Sequence, residues 1–194
     1  MGCLSLLLAL SFHVGLEGDY NSVHPHGRCT VDNWITGAYY NSEENVSYYV
    51  GKKISNDLKI KFIEGDDFHS LNNINKMKKN LPLNDSDRKE WLLSLNSELK
   101  KEVKKDIVIA CSALKEIYRK KLISGVNANI FWFCLKGEFK LINHRLKKRN
   151  NHFFKPDLLK SQFDIIEYPD YSNLIDINES PEKIVETIKL KIFK

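Results

Sequence analysis

The sequence predicts an α/β fold built on a parallel sheet, and two observations carry that expectation. Near-continuous apolar runs, "KIKFIEG" (59–65), "DIVIAC" (106–111), "NIFWFCLK" (129–136) and "NLIDIN" (173–178), read as strands covered on both faces. Between them lie stretches of helical period at 48–58, 68–79, 87–104, 113–124, 138–149, 156–167 and 181–192. Strands that alternate with helices form a parallel sheet with helices packed on its faces.

Each element has a local reason. Gly65 stops the first strand. Asp87, with Glu90 three residues on, resembles a capping box and starts the helix that follows "LPLN". Ser112 fits the N-cap after the second strand, which places Lys115 in the first turn of the next helix. Pro156 and Pro181 suit first helical turns, where a missing N–H costs nothing.

The 194 residues suffice for one domain with a core, and composition changes near residue 46. A net charge of +5 fits an anionic substrate as readily as a nucleic acid. The four cysteines, Cys3, Cys29, Cys111 and Cys134, show no CxxC spacing. Two fall in apolar runs, where a thiol acts as a small hydrophobe; a reducing compartment is expected, with no disulfide framework.

The opening "MGCLSLLLALSFHVG" has an apolar core without a preceding Lys or Arg and without an A-x-A site after it. It is too short to span a bilayer, and Leu6 stands where myristoylation wants Ser or Thr. Neither a secretory signal nor a membrane partner is expected, and the location read from the sequence is cytoplasmic. Residues 1–45 read as an atypical leader, either disordered or supplying a replacement strand, ahead of a domain over 46–194. "HPHGRC" offers His24, His26 and Cys29 but no fourth zinc ligand.

In parallel sheets the chemistry gathers beyond the carboxyl ends of the strands. The first end reads "FIEGDDFH". Glu64 and Asp66 stand two apart, and His69 follows; a plain strand-to-helix turn capped by Asp66 or Asp67 is the simpler alternative. The second end reads "CSALKEIYR". A lysine in a first turn opposes the helix dipole unless an anion sits at the helix start, so Lys115 is either an anion ligand or an exposed side chain. Arg88 raises the same question, and an arginine can hold a carboxylate or phosphate through two parallel hydrogen bonds.

"NHRLKKRNNHFFKP" concentrates Arg145, Lys147, Lys148, Arg149, His152 and Lys155. Three readings fit: a solvated helix end, an RNA-binding patch for which Phe153 and Phe154 offer only a hint of stacking, or a lid around 143–160 whose arginines close over phosphates. No nucleic-acid partner is expected.

"EGDDFH", "NINKMKKNLPLNDSDRKEWL", "CSALKEIYR" and "LKGEFKLINHRLKKRNNHFFKPDLLKSQFDIIE", in this order, resemble the gluconokinase family, small P-loop kinases related in fold to shikimate kinase. The resemblance runs from about Val50 to the C-terminus. It implies a three-layer fold with strand order 2-3-1-4-5, and transfer of the ATP γ-phosphoryl group to the 6-hydroxyl of D-gluconate with Mg²⁺. By the same resemblance Asp66 and Lys115 are catalytic. Asp66, His69, Lys76, Arg88, Ser112, Lys115 and Arg119 bind substrate. Arg145 and Arg149 are lid arginines toward ATP, and Glu64 is a Mg²⁺ partner through water. A homodimer is a further expectation. Where the family has a proline after the histidine, this chain has Ser70.

The phosphate loop departs from the family. Its pattern is G-x-x-x-x-G-K-[ST]; the register set by Val50 and Gly51 puts Asn41 and Val46 at the glycines, Ser47 at the lysine and Tyr48 at the hydroxyl residue. "NSEENVSY" adds Glu43 and Glu44 where an anion should sit. The first strand and phosphate loop therefore read as absent or atypical. Gluconokinase-like turnover is expected to be weak or absent, with a non-catalytic gluconate-binding or regulatory role as the alternative. The abrupt junction also suggests an alternative first coding segment or a gene-model error.

Overall fold

The computed structural model describes residues 46–102, 104–148 and 156–193, with the side chains at 145–148, 156 and 157 left out. The leader, the segment 149–155 and Arg149 lie outside the described residues.

The described chain begins with α1 (Val46–Leu58), then β1 (Lys61–Glu64), a 3-10 turn (Gly65–Phe68), α2 (Leu71–Lys78) and α3 (Asp85–Glu102). It continues through β2 (Ile107–Ala110), α4 (Glu116–Leu122), β3 (Phe133–Lys136), α5 (Phe139–Lys148), α6 (Pro156–Phe163), β4 (Asn173–Asp176) and α7 (Pro181–Ile192).

β1 pairs with β2 in parallel, Lys61 opposite Ile107 and Glu64 opposite Ala110. β3 pairs with β4 in parallel, Phe133 opposite Asn173 and Lys136 opposite Asp176. Among the described residues no strand joins the two pairs. In the expected order 2-3-1-4-5 these correspond to the outer pairs 2-3 and 4-5, and the question of a first strand lies outside the described residues.

The period of two along β2 builds the layers. Val108 and Ala110 belong to a core formed with Val50 and Ile54 of α1, Phe133 and Leu135 of β3, and Ile184 and Ile188 of α7. Ile107 and Ile109 belong to a second core on the opposite face, with Trp91, Leu95 and Leu99 of α3 and Tyr118 and Leu122 of α4. Helices therefore cover both sides. Gly51 permits this approach on α1, because a Cβ there would lie 2.6 Å from the Phe62 ring.

Three expectations are corrected. The helix foreseen at 68–79 is divided into the 3-10 turn, capped by Glu64 rather than by Asp66 or Asp67, and α2, whose N-cap Ser70 accepts from Asn73 N–H. The capping box at the start of α3 is Asn84 with Asp87, not Asp87 with Glu90: each side chain accepts from the other's backbone N–H at 2.9 Å. Ser112 is not the cap of α4. Lys115 occupies that position without a side-chain cap bond, and the helix begins at Glu116.

Cys111 and Cys134 are free and buried, and burial pushes their thiols up to about 12 and about 11. Both are protonated and inert at neutral pH, as their apolar settings suggested. Among the described residues no helix is long and apolar enough to cross a membrane.

Candidate active site beyond the ends of β1 and β2

Close backbone approach places the acidic turn. A Cβ on Gly65 would lie 2.6 Å from Cys111 Cβ and 2.7 Å from the Ala110 carbonyl oxygen. Only glycine lets the chain leaving β1 graze the end of β2. The turn is then fixed from α3, where Trp91 Nε1 donates to the Gly65 carbonyl at 2.7 Å.

Asp66 and His69 emerge from this turn side by side. His69 Nε2 lies 3.7 Å from Asp66 Oδ1, and both side chains are largely hidden. Burial, reinforced by the Arg88 charge, holds the His69 imidazole down to about 3, so it is neutral at physiological pH. Its Nδ1 lies 3.4 Å from Asn73 Nδ2, whose other partner is the Asp87 carbonyl at 2.8 Å. An amide NH₂ can only donate, so Nδ1 accepts and Nε2 carries the proton toward Asp66. Burial, with Asp67 adding to it, pushes the Asp66 carboxyl up to about 7 against the pull of Arg88. A carboxyl poised near neutrality can accept a proton from an alcohol as that alcohol becomes a nucleophile.

Arg88 and Lys115 frame the other side through aromatic rings. His69 stacks on Trp91 with centroids 4.8 Å apart and planes 12° from parallel. The Arg88 guanidinium lies 6.0 Å from the Trp91 ring centre and 5.6 Å from that of Tyr118. Lys115 Nζ lies 5.5 Å from the Tyr118 ring centre. These contacts run His69, Trp91, Arg88, Tyr118, Lys115 in one row. Arg88 is 4% exposed, and its Nε has no hydrogen-bond partner. An unpaired donor on a buried cation is costly, and an anionic ligand is the natural way to satisfy it.

The remaining expected residues are distributed unevenly. Lys76 stands on α2 with Nζ 2.6 Å from Asp87 Oδ1. Ser112 is buried in the turn after β2. Arg119 is committed to holding that turn: Nη1 donates to the carbonyls of Ala113 and Leu114 at 2.9 and 3.1 Å, and Nε lies 3.1 Å from both Glu116 Oε2 and the Tyr171 hydroxyl. The anion at the α4 start is the chain's own Glu167, whose carboxylate accepts from Glu116 N–H while its N–H donates to the Leu114 carbonyl. Arg145 lies on α5 with its side chain outside the description, as Arg149 is altogether.

Sequence reading missed Asn73, Asp85, Trp91, Tyr118 and Glu167. Tyr118 follows Lys115 by three residues, a helical spacing that could have flagged it. Asp85 and Glu167 lie 30 and 51 residues from their partners, beyond any local pattern.

The acidic turn can be tested for a divalent cation. Glu64 Oε2 is buried and unpartnered, and burial, then Asp66 and Asp67, hold the Glu64 carboxyl well above the usual carboxylate range. Such crowding is relieved by positive charge. Among the described residues no three His, Cys, Asp or Glu side chains converge into a metal cage. The unpartnered Glu64 Oε2 is an acceptor that a water bound to Mg²⁺ could meet.

The start of α1 does not fit a nucleotide phosphate cradle. Ser47 and Tyr48 open the helix, and its first turn holds no lysine. Of the nearby lysines, Lys53 pairs with Asp57 at 2.6 Å and Lys52 Nζ lies 5.7 Å from the Phe62 ring centre.

The chain is 40% identical to a probable gluconokinase from Dictyostelium discoideum over 153 residues, covering 72% of this chain and 76% of that protein. It is 39% identical to the thermoresistant gluconokinase of Escherichia coli K12 over 142 residues, covering 70% and 81% of the two. A solved gluconokinase from Sinorhizobium meliloti 1021 superposes with a TM-score of 0.72 at 24% identity, covering 97% of this chain and 91% of that one. No family model matches the chain.

Proposed function

Because this chain belongs to the gluconokinase family and has the three-layer α/β fold of P-loop kinases, we propose that its pocket binds D-gluconate and that its phosphoryl-transfer chemistry is weak or lost. The family acts on a small-molecule substrate with ATP and a divalent metal. The observation that carries the pocket reading is Arg88, a buried guanidinium without a hydrogen-bond partner at Nε, set beside the Asp66–His69 pair.

In this reading the gluconate carboxylate lies against Arg88, with Lys115 and Lys76 at the rim and Ser112 on the turn between them. The 6-hydroxyl points to Asp66, which accepts its hydrogen bond and takes its proton during transfer. His69 Nε2–H orients the Asp66 carboxylate. ATP would supply the phosphoryl group and Mg²⁺ would offset the charge that develops on it. Arg145 and Arg149 would serve as lid cations, and Arg119 would act through the turn it holds. We place the protein in the cytoplasm, without a nucleic-acid or membrane partner, and extend the homodimer expectation to it.

Loss of activity is supported by the start of α1. A phosphate loop uses glycine for its dihedrals, lysine for the β/γ oxygens and a hydroxyl for the metal. Removing a single transition-state donor costs on the order of 10²–10³ in rate. A second reading, a non-catalytic gluconate-binding or regulatory subunit, is favoured by the same two observations, Arg88 beside the Asp66–His69 pair and the altered loop.

Thermal-shift titrations of the purified chain with gluconate and with Mg-ATP, run separately, test both points. A ligand that binds only the folded state raises the melting temperature. The expected result is a rise with gluconate, none with Mg-ATP, and little gluconate-dependent ADP formation. Turnover near the usual kinase range of about 1 s⁻¹ or above would overturn the loss of activity. Absence of a gluconate shift would overturn the pocket.

A further inference from the structure

Among the described residues Lys115, Lys76 and Arg88 are the cations assigned to the gluconate in this reading, and two of them are already neutralised. Lys115 Nζ lies 2.7 Å from Asp85 Oδ1, and the same oxygen accepts from the Tyr118 hydroxyl. Lys76 Nζ lies 2.6 Å from Asp87 Oδ1. Arg88 has no ion-pair partner among the described residues; Asp66, Asp85 and Asp87 reach it only as a surrounding field.

We propose that Asp85 and Asp87 are specificity-determining residues: by cancelling Lys115 and Lys76 they leave Arg88 as the one uncompensated cation of the site among the described residues, so the site accepts one carboxylate and rejects a dianion in its place. The inference rests on the sugar-acid reading and sharpens it to monoanionic polyhydroxy acids. A phosphate monoester at the carboxylate position would bring a second negative charge among carboxylates, with no further free cation among the described residues of the site to meet it. A neutral polyol would leave the Arg88 donors unsatisfied. Each mismatch is penalised by the desolvated setting, where charge complementarity gives selectivity more than raw affinity.

Asp85 is the informative position. It is the first residue of α3 and its side chain is 63% exposed, so its charge can be altered without disturbing a core. Asp85→Asn keeps an oxygen for the Tyr118 hydroxyl and Lys115 while removing the charge. Asp85→Glu keeps the charge and separates its effect from that of shape.

Isothermal titration of the full chain with gluconate, glucitol and glucitol 6-phosphate, across wild type, D85N and D85E, tests the proposal. Wild type and D85E are expected to bind gluconate at least about tenfold tighter than either of the other two. D85N is expected to narrow the gluconate-over-glucitol 6-phosphate preference at least about tenfold, with the melting temperature near that of wild type. If wild type binds gluconate and D85N keeps the same preference, the charge-counting proposal fails while the sugar-acid reading stands. If wild type binds glucitol 6-phosphate as tightly as gluconate, the proposal also fails. If wild type binds none of the three, the sugar-acid reading falls and this inference falls with it.

Discussion

Trp91 reaches across 26 residues to Gly65, its Nε1 donating to the glycine carbonyl at 2.7 Å while its indole face carries the His69 ring. One side chain on α3 thus fixes both the turn that bears Asp66 and the imidazole beside it. Trp91→Phe removes the donor and leaves a buried carbonyl unpaired, at a cost of about 1–3 kcal/mol, to which the lost ring volume adds. Urea unfolding measures it. A loss below about 0.5 kcal/mol, the range of neutral surface changes, would show that Trp91 does not anchor the turn.

Gly65 makes the converse prediction. The atoms a Cβ would strike are Cys111 Cβ and the Ala110 carbonyl oxygen, neither of which is a flexible side-chain tip. Gly65→Ala therefore forces β1 and β2 apart at their ends, with an overpacking cost of about 1–3 kcal/mol. Because the displacement carries Asp66 with it, the gluconate thermal shift should vanish even where the variant remains folded. A folded variant with an undiminished shift would contradict this placement.

The acidic turn sets a pH dependence. Burial holds Asp67 up to about 6 and, with Asp67 adding its charge, Asp66 up to about 7, against ordinary values of 3.8. Between those limits the folded chain binds more protons than the unfolded one, so this contribution to stability falls as pH rises and levels off above about pH 7. His69 acts oppositely: its folded value of about 3 lies below the ordinary 6.5, so its contribution rises with pH across that window. Comparison with Asp66→Asn isolates the carboxyl. The variant should gain stability relative to wild type as pH goes from about 5 to about 7.5, read from urea midpoints. A difference constant in pH would sink the assignment.

Much of this architecture is legible in the sequence where one local rule acts alone. Pro181 and the apolar face behind it give α7 its observed bounds, Pro181–Ile192. Strands are foreseen too long because apolar character outlasts pairing: Ile130, Phe131 and Trp132 pack into the cores before β3 begins at Phe133. Competing local signals mislead. "LNDSDRKE" contains two spacings that could form a capping box, and only the fold shows that Asn84 and Asp87 close it. The pocket's charged residues are visible by type, whereas their pairing is not. Nothing near Lys115 in the chain announces Asp85, and nothing near Glu116 announces Glu167.

The altered loop supports a prediction of gained function. Ser47, at the position of the family lysine, is 3% exposed, so Ser47→Lys alone would bury a cation without the glycine turns that aim it. That single change should lower the melting temperature and leave ADP formation unchanged. Replacing "NSEENVSY" (41–48) as a unit with a G-x-x-x-x-G-K-T segment removes Glu43 and Glu44 and supplies glycines, lysine and hydroxyl together. The graft should raise gluconate-dependent ADP formation by at least about 10²-fold, the order lost with one transition-state donor, and introduce a thermal shift with Mg-ATP. The gluconate shift should persist, because Arg88, His69 and Asp66 lie outside the replaced segment. Activity from the single substitution, or none from a folded graft that still binds gluconate, would show that the loop is not what limits this chain.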